Sequence, residues 1–334
     1  MSSPPSPTGI PRGRQLPRAV VRPRTNDTRI IAIDWAWVAA IALIAAANAF
    51  RTAHTGHWGR LGYISVATLP LAASFAYLSA LVLRDRYAAV VAGCLTATSV
   101  TLATVGCASV VSGVAIACLA AVWLCYDRGH LVVAAVLCGI AAICRPEMVL
   151  LGVILTAYGV YDKKEQAGTG AATYIVILVA VATVLIWRHR PIPLPNDFTS
   201  HGPLTVLWAS GPAVLWFMVA FLTDLFDKHS RPRWLPIATW LVLFLIIAAA
   251  VDRTSSLTFM APAFVGAYII AAAGIARVLP AVAGDHGTTI ARYVAATMAV
   301  LLLLCLRYPS DTHAALELVS FSSTASQPAA SGNR

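Results

Sequence analysis

The sequence is poor in charged residues, and above all in acidic ones. Only 11% of its 334 residues are charged, and 14 acidic side chains stand against 24 lysines and arginines. Hydrophobic residues make up 59% of the chain, and the mean hydropathy is +0.76. A water-soluble domain cannot cover this much apolar surface, so the composition argues against a soluble protein and predicts a membrane protein.

Several motifs of well-known chemistries are also missing. There is no Walker-type loop, no dinucleotide-binding fingerprint and no nucleophile elbow. The seven cysteines lie inside apolar runs without metal-ligand spacing to histidine. This favours packing between helices over a disulfide framework, and no metal site is predicted. The basic residues border apolar segments, so the net charge of +10 indicates membrane topology and no nucleic-acid partner.

Composition divides the chain into three regions. Residues 1–28 are rich in proline, serine and arginine without an apolar period, which predicts a disordered basic cytoplasmic tail. Residues 307–334 are rich in serine and alanine and are predicted to be a disordered extracytoplasmic tail. The region between them, residues 29–306, is predicted to be one helical transmembrane domain.

Apolar runs separated by short polar turns predict an all-α polytopic membrane protein with about ten or eleven transmembrane or half-membrane helices. The runs lie at 30–50, 61–83, 87–104, 108–125, 131–144, 148–161, 171–187, 205–223, 234–250, 258–280 and 293–306. The runs 131–144 and 148–161 are too short to cross a bilayer. They predict two half-helices that meet partway, or one kinked span.

The distribution of lysine and arginine predicts that the N-terminus of this multi-pass membrane protein is cytoplasmic. Most basic residues then border inner segments. Asp34 is expected to be a surface anchor at the inner end of the first helix. The predicted outer loops include 51–60, which contains His54 and His57, and 187–204, which contains four prolines.

Arg145, Pro146 and Glu147 interrupt an otherwise apolar run. An ionisable residue inside a membrane is costly and is therefore a functional hypothesis. Two interpretations stay open. The two charges form an ion pair that pins a helix break and caps the following helix, or Arg145 faces a cavity and binds an anionic group such as a phosphate.

The segment around these residues, GIAAICRPEMVLLGVIL, resembles the "G-L-A-x-L-x-R-P-E-G" segment of bacterial polytopic GT-C glycosyltransferases, especially the arabinofuranosyltransferase-like branch of actinobacterial cell-wall enzymes. Three further stretches resemble that branch in the same order. They are VGCASVVSGVAIACLAAVWL at 105–124, PIPLPNDFTSHG at 191–202 and FMAPAFVGAYIIAAAGI at 259–275. The resemblance implies a GT-C-like scaffold and, together with the composition, a location in the plasma membrane.

The resemblance also implies a chemistry. Such enzymes transfer a sugar from a polyprenyl-phosphate donor to a cell-envelope glycan acceptor on the outer face. An outer-loop carboxylate serves as general base, and a cation near the membrane surface stabilises the leaving phosphate. Arg145 and Glu147 match the family's Arg-Pro-Glu, and Asn196 belongs to its Pro-Asn pair. These three residues and Arg253 are the predicted donor-phosphate or cavity residues; the cofactor is left open, with a divalent cation as one option.

The sequence departs from the family where the base is expected, because the first outer loop contains no aspartate or glutamate. Asp197 is the first candidate substitute base, followed by His57 and His54, for which a solvated or interfacial loop is the alternative. Three classes of function stay open. They are a glycosyltransferase, a catalytically silent relative that binds a lipid-linked ligand or partners an active transferase, and a small-solute transporter. The lack of an internal repeat disfavours the transporter.

Overall fold

The computed structural model describes residues 30–55, 66–161, 167–188, 231–250 and 257–283, and within these ranges the chain forms helices and turns without strands. The helices are α1 (Ala32–Thr55), α2 (Thr68–Leu83), α3 (Arg86–Ala97), α4 (Val100–Ala108), α5 (Val110–Asp127), α6 (Leu131–Cys144), α7 (Val149–Tyr161), α8 (Ala167–Arg188), α9 (Arg231–Ala250) and α10 (Leu257–Ala283). The predicted all-α class is confirmed for this part of the chain. The predicted runs 205–223 and 293–306 and both predicted tails lie outside it.

Some of these helices have the length and composition of membrane spans. Ala32–His54 in α1 and Val110–Asp127 in α5 are long and apolar enough to cross a bilayer. Helices α3 and α4 pass the same test together and make a third candidate if they count as one bent span. Large apolar side chains on the outward faces of α1, α6 and α8 stay exposed, among them Leu43, Ile143 and Val176.

The first five helices form a bundle whose directions follow from side-chain contacts. Helices α1 and α3 run parallel, because Asp34 pairs with Arg86 near their starts and Asn48 binds the carbonyl oxygen of Ala97 near the end of α3. Helix α2 runs in the opposite direction, because Tyr77 near its end bonds to Asp34 near the start of α1. Helix α5 runs parallel to α2, since Thr68 lies against Gly113 near their starts and the Ser79 hydroxyl donates to the Ala120 carbonyl oxygen further along, at 2.9 Å. The start of α1, the α2–α3 turn and the α5–α6 turn therefore lie at one end, here called the lower end.

Helix α10 forms the centre of the described bundle. It packs against α2, α3, α4, α5 and α9, and every residue from 261 to 276 is buried. A helix that is apolar on all sides lies either in a protein core or in a membrane, and these contacts place α10 in the core. Gly266 lets the Trp240 ring of α9 approach α10 closely, and Trp240 makes an edge-to-face contact with Trp123 of α5, with ring centroids 6.0 Å apart.

Helices α3 and α4 are bent by 52° at Thr98 and Ser99, where the sequence predicted one run over 87–104. The side-chain amide of Asn48 in α1 donates to the carbonyl oxygens of Ala97 and Ser99 at 3.1 and 3.2 Å. The Ser99 hydroxyl accepts from the N–H of Leu102 and caps α4. These bonds satisfy backbone groups that a break inside an apolar bundle would otherwise leave unpaired.

Asn48→Ala is expected to destabilise the protein by about 1–3 kcal/mol, because it removes the amide that binds two carbonyl oxygens at the bend. Asn48→Asp is expected to cost more, since its carboxylate would face those same oxygens. Denaturant titration of the purified protein in detergent measures both effects. Leu43→Ala is the control, because this side chain is 72% exposed on the same helix. Equal stability of Asn48→Ala and the control would contradict the proposed role.

Candidate functional site

The helix break predicted from the sequence lies between α6 and α7. Arg145 ends α6 with an extended backbone, at φ −146° and ψ 108°, and Pro146–Met148 form a single 3-10 turn before α7. Proline explains the break, because it disfavours helical backbone in the preceding residue and has no N–H of its own. The two helices have 14 and 13 residues, so each is about 20 Å long at 1.5 Å per residue, shorter than a bilayer core.

Arg145 and Glu147 form an ion pair at this break. The distance from Arg145 Nε to Glu147 Oε1 is 2.5 Å, and the two side chains are only 7% and 15% exposed. Charges removed from water in this way are stable only when they are paired and hydrogen-bonded. The pair therefore joins the residue that follows α6 to the 3-10 turn before α7, in agreement with the ion-pair interpretation of the sequence.

Tyr174 of α8 supports the start of α7. Its hydroxyl donates to the carbonyl oxygen of Val149 at 2.7 Å, and its ring lies directly against Gly152. Helices α6 and α8 run parallel, since Gly170 packs on Leu131 near their starts. The Arg145–Glu147 ion pair and the hydrogen bond from Tyr174 to Val149 thus both stabilise the break.

Gly152→Ala is expected to displace the Tyr174 ring and break its hydrogen bond to Val149, because the added methyl group would overlap the ring. We expect a destabilisation of about 1–3 kcal/mol, typical of overpacking. Gly168→Ala is the matched control on α8, where an added methyl group meets no atom within 4 Å. Thermal unfolding of both variants measures the difference. Equal melting temperatures would show that Tyr174 accommodates the methyl group without loss.

A cavity of about 20 Å³ lies beside these helices. Its lining consists of Tyr126, Leu131, Ala134, Ala135, Cys138, Gly152, Leu155, Thr156, Gly159, Gly170, Ala171 and Tyr174. This volume is enough for about one water molecule. The cavity is therefore too small for a sugar ring and is not a substrate site.

The other predicted site residues are not brought to the break within the described ranges. His54 lies in the last turn of α1 and is exposed. Helix α1 packs against α2, α3 and α4, whereas α6 packs against α5, α7 and α8, so His54 belongs to a different part of the bundle from Arg145. The predicted residues His57, Asn196, Asp197 and Arg253 lie outside the described residues.

A second buried charge cluster was missed by the sequence interpretation. Asp34 is fully buried, so its expected role as a surface anchor is wrong. Its carboxylate accepts from Arg86 Nε at 2.9 Å, from the Tyr77 hydroxyl at 3.2 Å and from the N–H of Ile31 at 2.9 Å. Arg86 and Tyr77 are more than 40 residues away along the chain. The sequence signal for this cluster was an aspartate inside an apolar run. Because a buried charge is costly, such an aspartate is expected to have a basic partner.

Within the described residues, no group of three or more His, Cys, Asp or Glu side chains is arranged to hold a metal ion. The cysteines in this part of the chain are free thiols on apolar helices. Neither the comparison with protein-family models nor the comparison with curated proteins finds a match to this chain. The resemblance to GT-C glycosyltransferases thus depends on the sequence segments quoted above.

Proposed function

We propose that the protein is a multi-pass plasma-membrane protein on a GT-C-like scaffold, and that it transfers a sugar from a polyprenyl-phosphate donor to a cell-envelope acceptor. The observation that supports this most is the buried guanidinium of Arg145 at the break between two short apolar helices. An intramembrane arginine at an interrupted helix is suited to an anionic headgroup.

The membrane part of the proposal draws on the exposed apolar faces and the candidate spans. The proposed orientation has the N-terminus in the cytoplasm. Arg84 and Arg128 lie in turns at the lower end, and Arg86 is the first residue of α3 at the same end, where α1 also starts. The positive-inside rule then assigns this end to the cytoplasm and directs the α6–α7 break toward the outer face.

In the proposed donor complex, a phosphate oxygen takes the place of the Glu147 carboxylate on the Arg145 guanidinium. Both groups are anions that accept hydrogen bonds from the same cation, and Glu147 is the more exposed partner. The leaving phosphate is thereby stabilised as its charge develops. Asp197 is the first proposed general base for the acceptor hydroxyl, with His57 and His54 as alternatives. Asn196 and Arg253 are proposed to contact the donor; whether a divalent cation takes part is left to metal titration.

Two observations favour a catalytically silent variant of this function. His54, a candidate base, lies on a different part of the bundle from Arg145. The first predicted outer loop also contains no carboxylate. A protein that retains the phosphate site without a base would bind a lipid-linked ligand or assist an active transferase as a membrane-protein partner.

Transfer of radiolabelled sugar from polyprenyl-phosphate donors to cell-envelope acceptors tests the proposal on purified protein. Asp197→Asn, His57→Ala and His54→Ala are measured beside Arg145→Gln. Turnover that is lost in Arg145→Gln and in one base variant would support an enzyme. Donor binding that requires Arg145 without any turnover would support the silent variant. Absence of both binding and turnover would reject both forms of the proposal.

A further inference from the structure

Glu147 stays close to any anion that binds Arg145. Only Pro146 separates the two residues, and Arg145 Nε lies 2.5 Å from Glu147 Oε1. The 3-10 turn Pro146–Met148 and the hydrogen bond from the N–H of Met148 to the carbonyl oxygen of Arg145 constrain the backbone between them. A ligand that takes the place of the carboxylate on the guanidinium therefore lies next to a negative charge.

The described helices around the break contribute few other charges. Helices α6 and α7 contain none, and the helices that pack against them, α5, α8 and α9, have charged residues only near their ends. These are Asp127, Arg188, Arg231 and Arg233. The side chains of Arg145 and Glu147 are 7% and 15% exposed, so water and salt screen charges here less than at a surface. Among the described residues, Glu147 is therefore the carboxylate that acts on the charge of a ligand at Arg145.

Sugar transfer changes the charge of the lipid phosphate. In the donor this phosphate is a diester with one negative charge. When the acceptor oxygen bonds to the sugar carbon, the bond from that carbon to the phosphate oxygen breaks. The phosphate keeps the electron pair, and the proton of the acceptor hydroxyl goes to the general base. The product is a monoester with a charge of about −1.5 to −2 at pH 7, which a guanidinium alone would bind more tightly than the donor.

We propose that Glu147 is a specificity-determining residue that disfavours the polyprenyl-phosphate product relative to the phosphodiester donor. Its carboxylate repels the additional negative charge of the monoester, whereas the singly charged diester meets less repulsion. After transfer, Glu147 competes for the guanidinium, and the ion pair seen in the structure forms again as the product leaves. This inference rests on the proposed function and adds to it a residue that discriminates between donor and product.

Binding of three lipids of the same chain length to the purified protein in detergent tests this role. They are a polyprenyl phosphate, its methyl ester, which is a diester without a sugar, and the uncharged polyprenol. The measurement is made at about pH 8, where the monoester is doubly charged. Glu147→Gln removes the carboxylate and keeps the side-chain size, and Glu147→Asp keeps the charge. Asp85→Asn is the matched control, because it removes one carboxylate from the start of α3 at the lower end of the bundle.

We expect the wild type, Glu147→Asp and Asp85→Asn to bind the methyl ester at least as tightly as the phosphate. Glu147→Gln should bind the phosphate about tenfold more tightly than the methyl ester. The same ratio of the two affinities in Glu147→Gln and in the wild type would overturn the proposal. So would a preference of the wild type for the phosphate of about tenfold, a result that does not depend on whether Glu147→Gln folds. Equal binding of all three lipids would reject the phosphate site, and with it both the proposed function and this inference.

Discussion

Arg145→Ala is expected to lower the free energy of unfolding by about 3–5 kcal/mol, the largest effect of any single substitution at the α6–α7 break. The reason is the charge that remains. Glu147, whose side chain is 15% exposed, would lose the guanidinium that lies 2.5 Å from its carboxylate. A carboxylate that is largely removed from water without a partner raises the free energy of the folded state. Denaturant titration in detergent micelles measures the loss.

The paired variant Arg145→Met with Glu147→Gln provides the control for this prediction. It removes both charges and keeps the side-chain volumes close to those of the original pair, and such replacements of buried ion pairs are often neutral or stabilising. We therefore expect the double variant to be more stable than Arg145→Ala alone. A double variant that is as unstable as Arg145→Ala would show that the pair does not account for the stability of the break.

Arg86→Ala is expected to destabilise the protein by a similar amount, about 3–5 kcal/mol, and by more than Asp34→Ala. The asymmetry follows from burial. Arg86→Ala leaves the fully buried carboxylate of Asp34 without its counterion, whereas Asp34→Ala leaves an arginine whose side chain is 35% exposed and can turn to water. Comparing the unfolding midpoints of the two variants under identical conditions tests the order.

Asp34→Asn separates the charge of this cluster from its hydrogen bonds. An amide oxygen at this position can still accept from the Tyr77 hydroxyl and from Arg86, so the variant is expected to be more stable than Arg86→Ala. If Arg86→Ala were as stable as the wild type, Asp34 would not need its counterion. That result would contradict the view that the contacts of Asp34 with Tyr77 and Arg86 stabilise the packing of α1 against α2 and α3.

The elements that local sequence signals define were predicted well. Helix α6 has the predicted bounds, because Gly129 with its positive φ of 81° ends the preceding turn and Pro146 stops the helix. The Arg145–Glu147 pair is also local, since the two residues are separated by a single proline. The order of residues along the chain was therefore sufficient to predict this ion pair as one of two interpretations.

Features that depend on distant residues were not predicted. The bend at Thr98 and Ser99 has no proline or glycine, and Asn48, which binds the carbonyl oxygens there, lies about 50 residues earlier. The burial of Asp34 likewise depends on Arg86, 52 residues away. Hydropathy and turn signals describe neighbours along the chain, so they do not show which polar groups meet across a bundle. The predicted bases other than His54 fall outside the described residues and stay predictions.

Binding of polyprenyl phosphate, compared with binding of the uncharged polyprenol of the same length, tests the central proposal most directly. The wild type and the double variant Arg145→Gln with Glu147→Gln are measured in the same detergent. The double variant has the net charge of the wild type, because it removes one positive and one negative side chain. If Arg145 binds the phosphate, the wild type should prefer the phosphate by about tenfold to a hundredfold, the usual contribution of a charge-assisted hydrogen bond, and the variant should lose this preference. Equal affinity of the wild type for both lipids, or an unchanged preference in the variant, would contradict the proposal that Arg145 binds the donor phosphate.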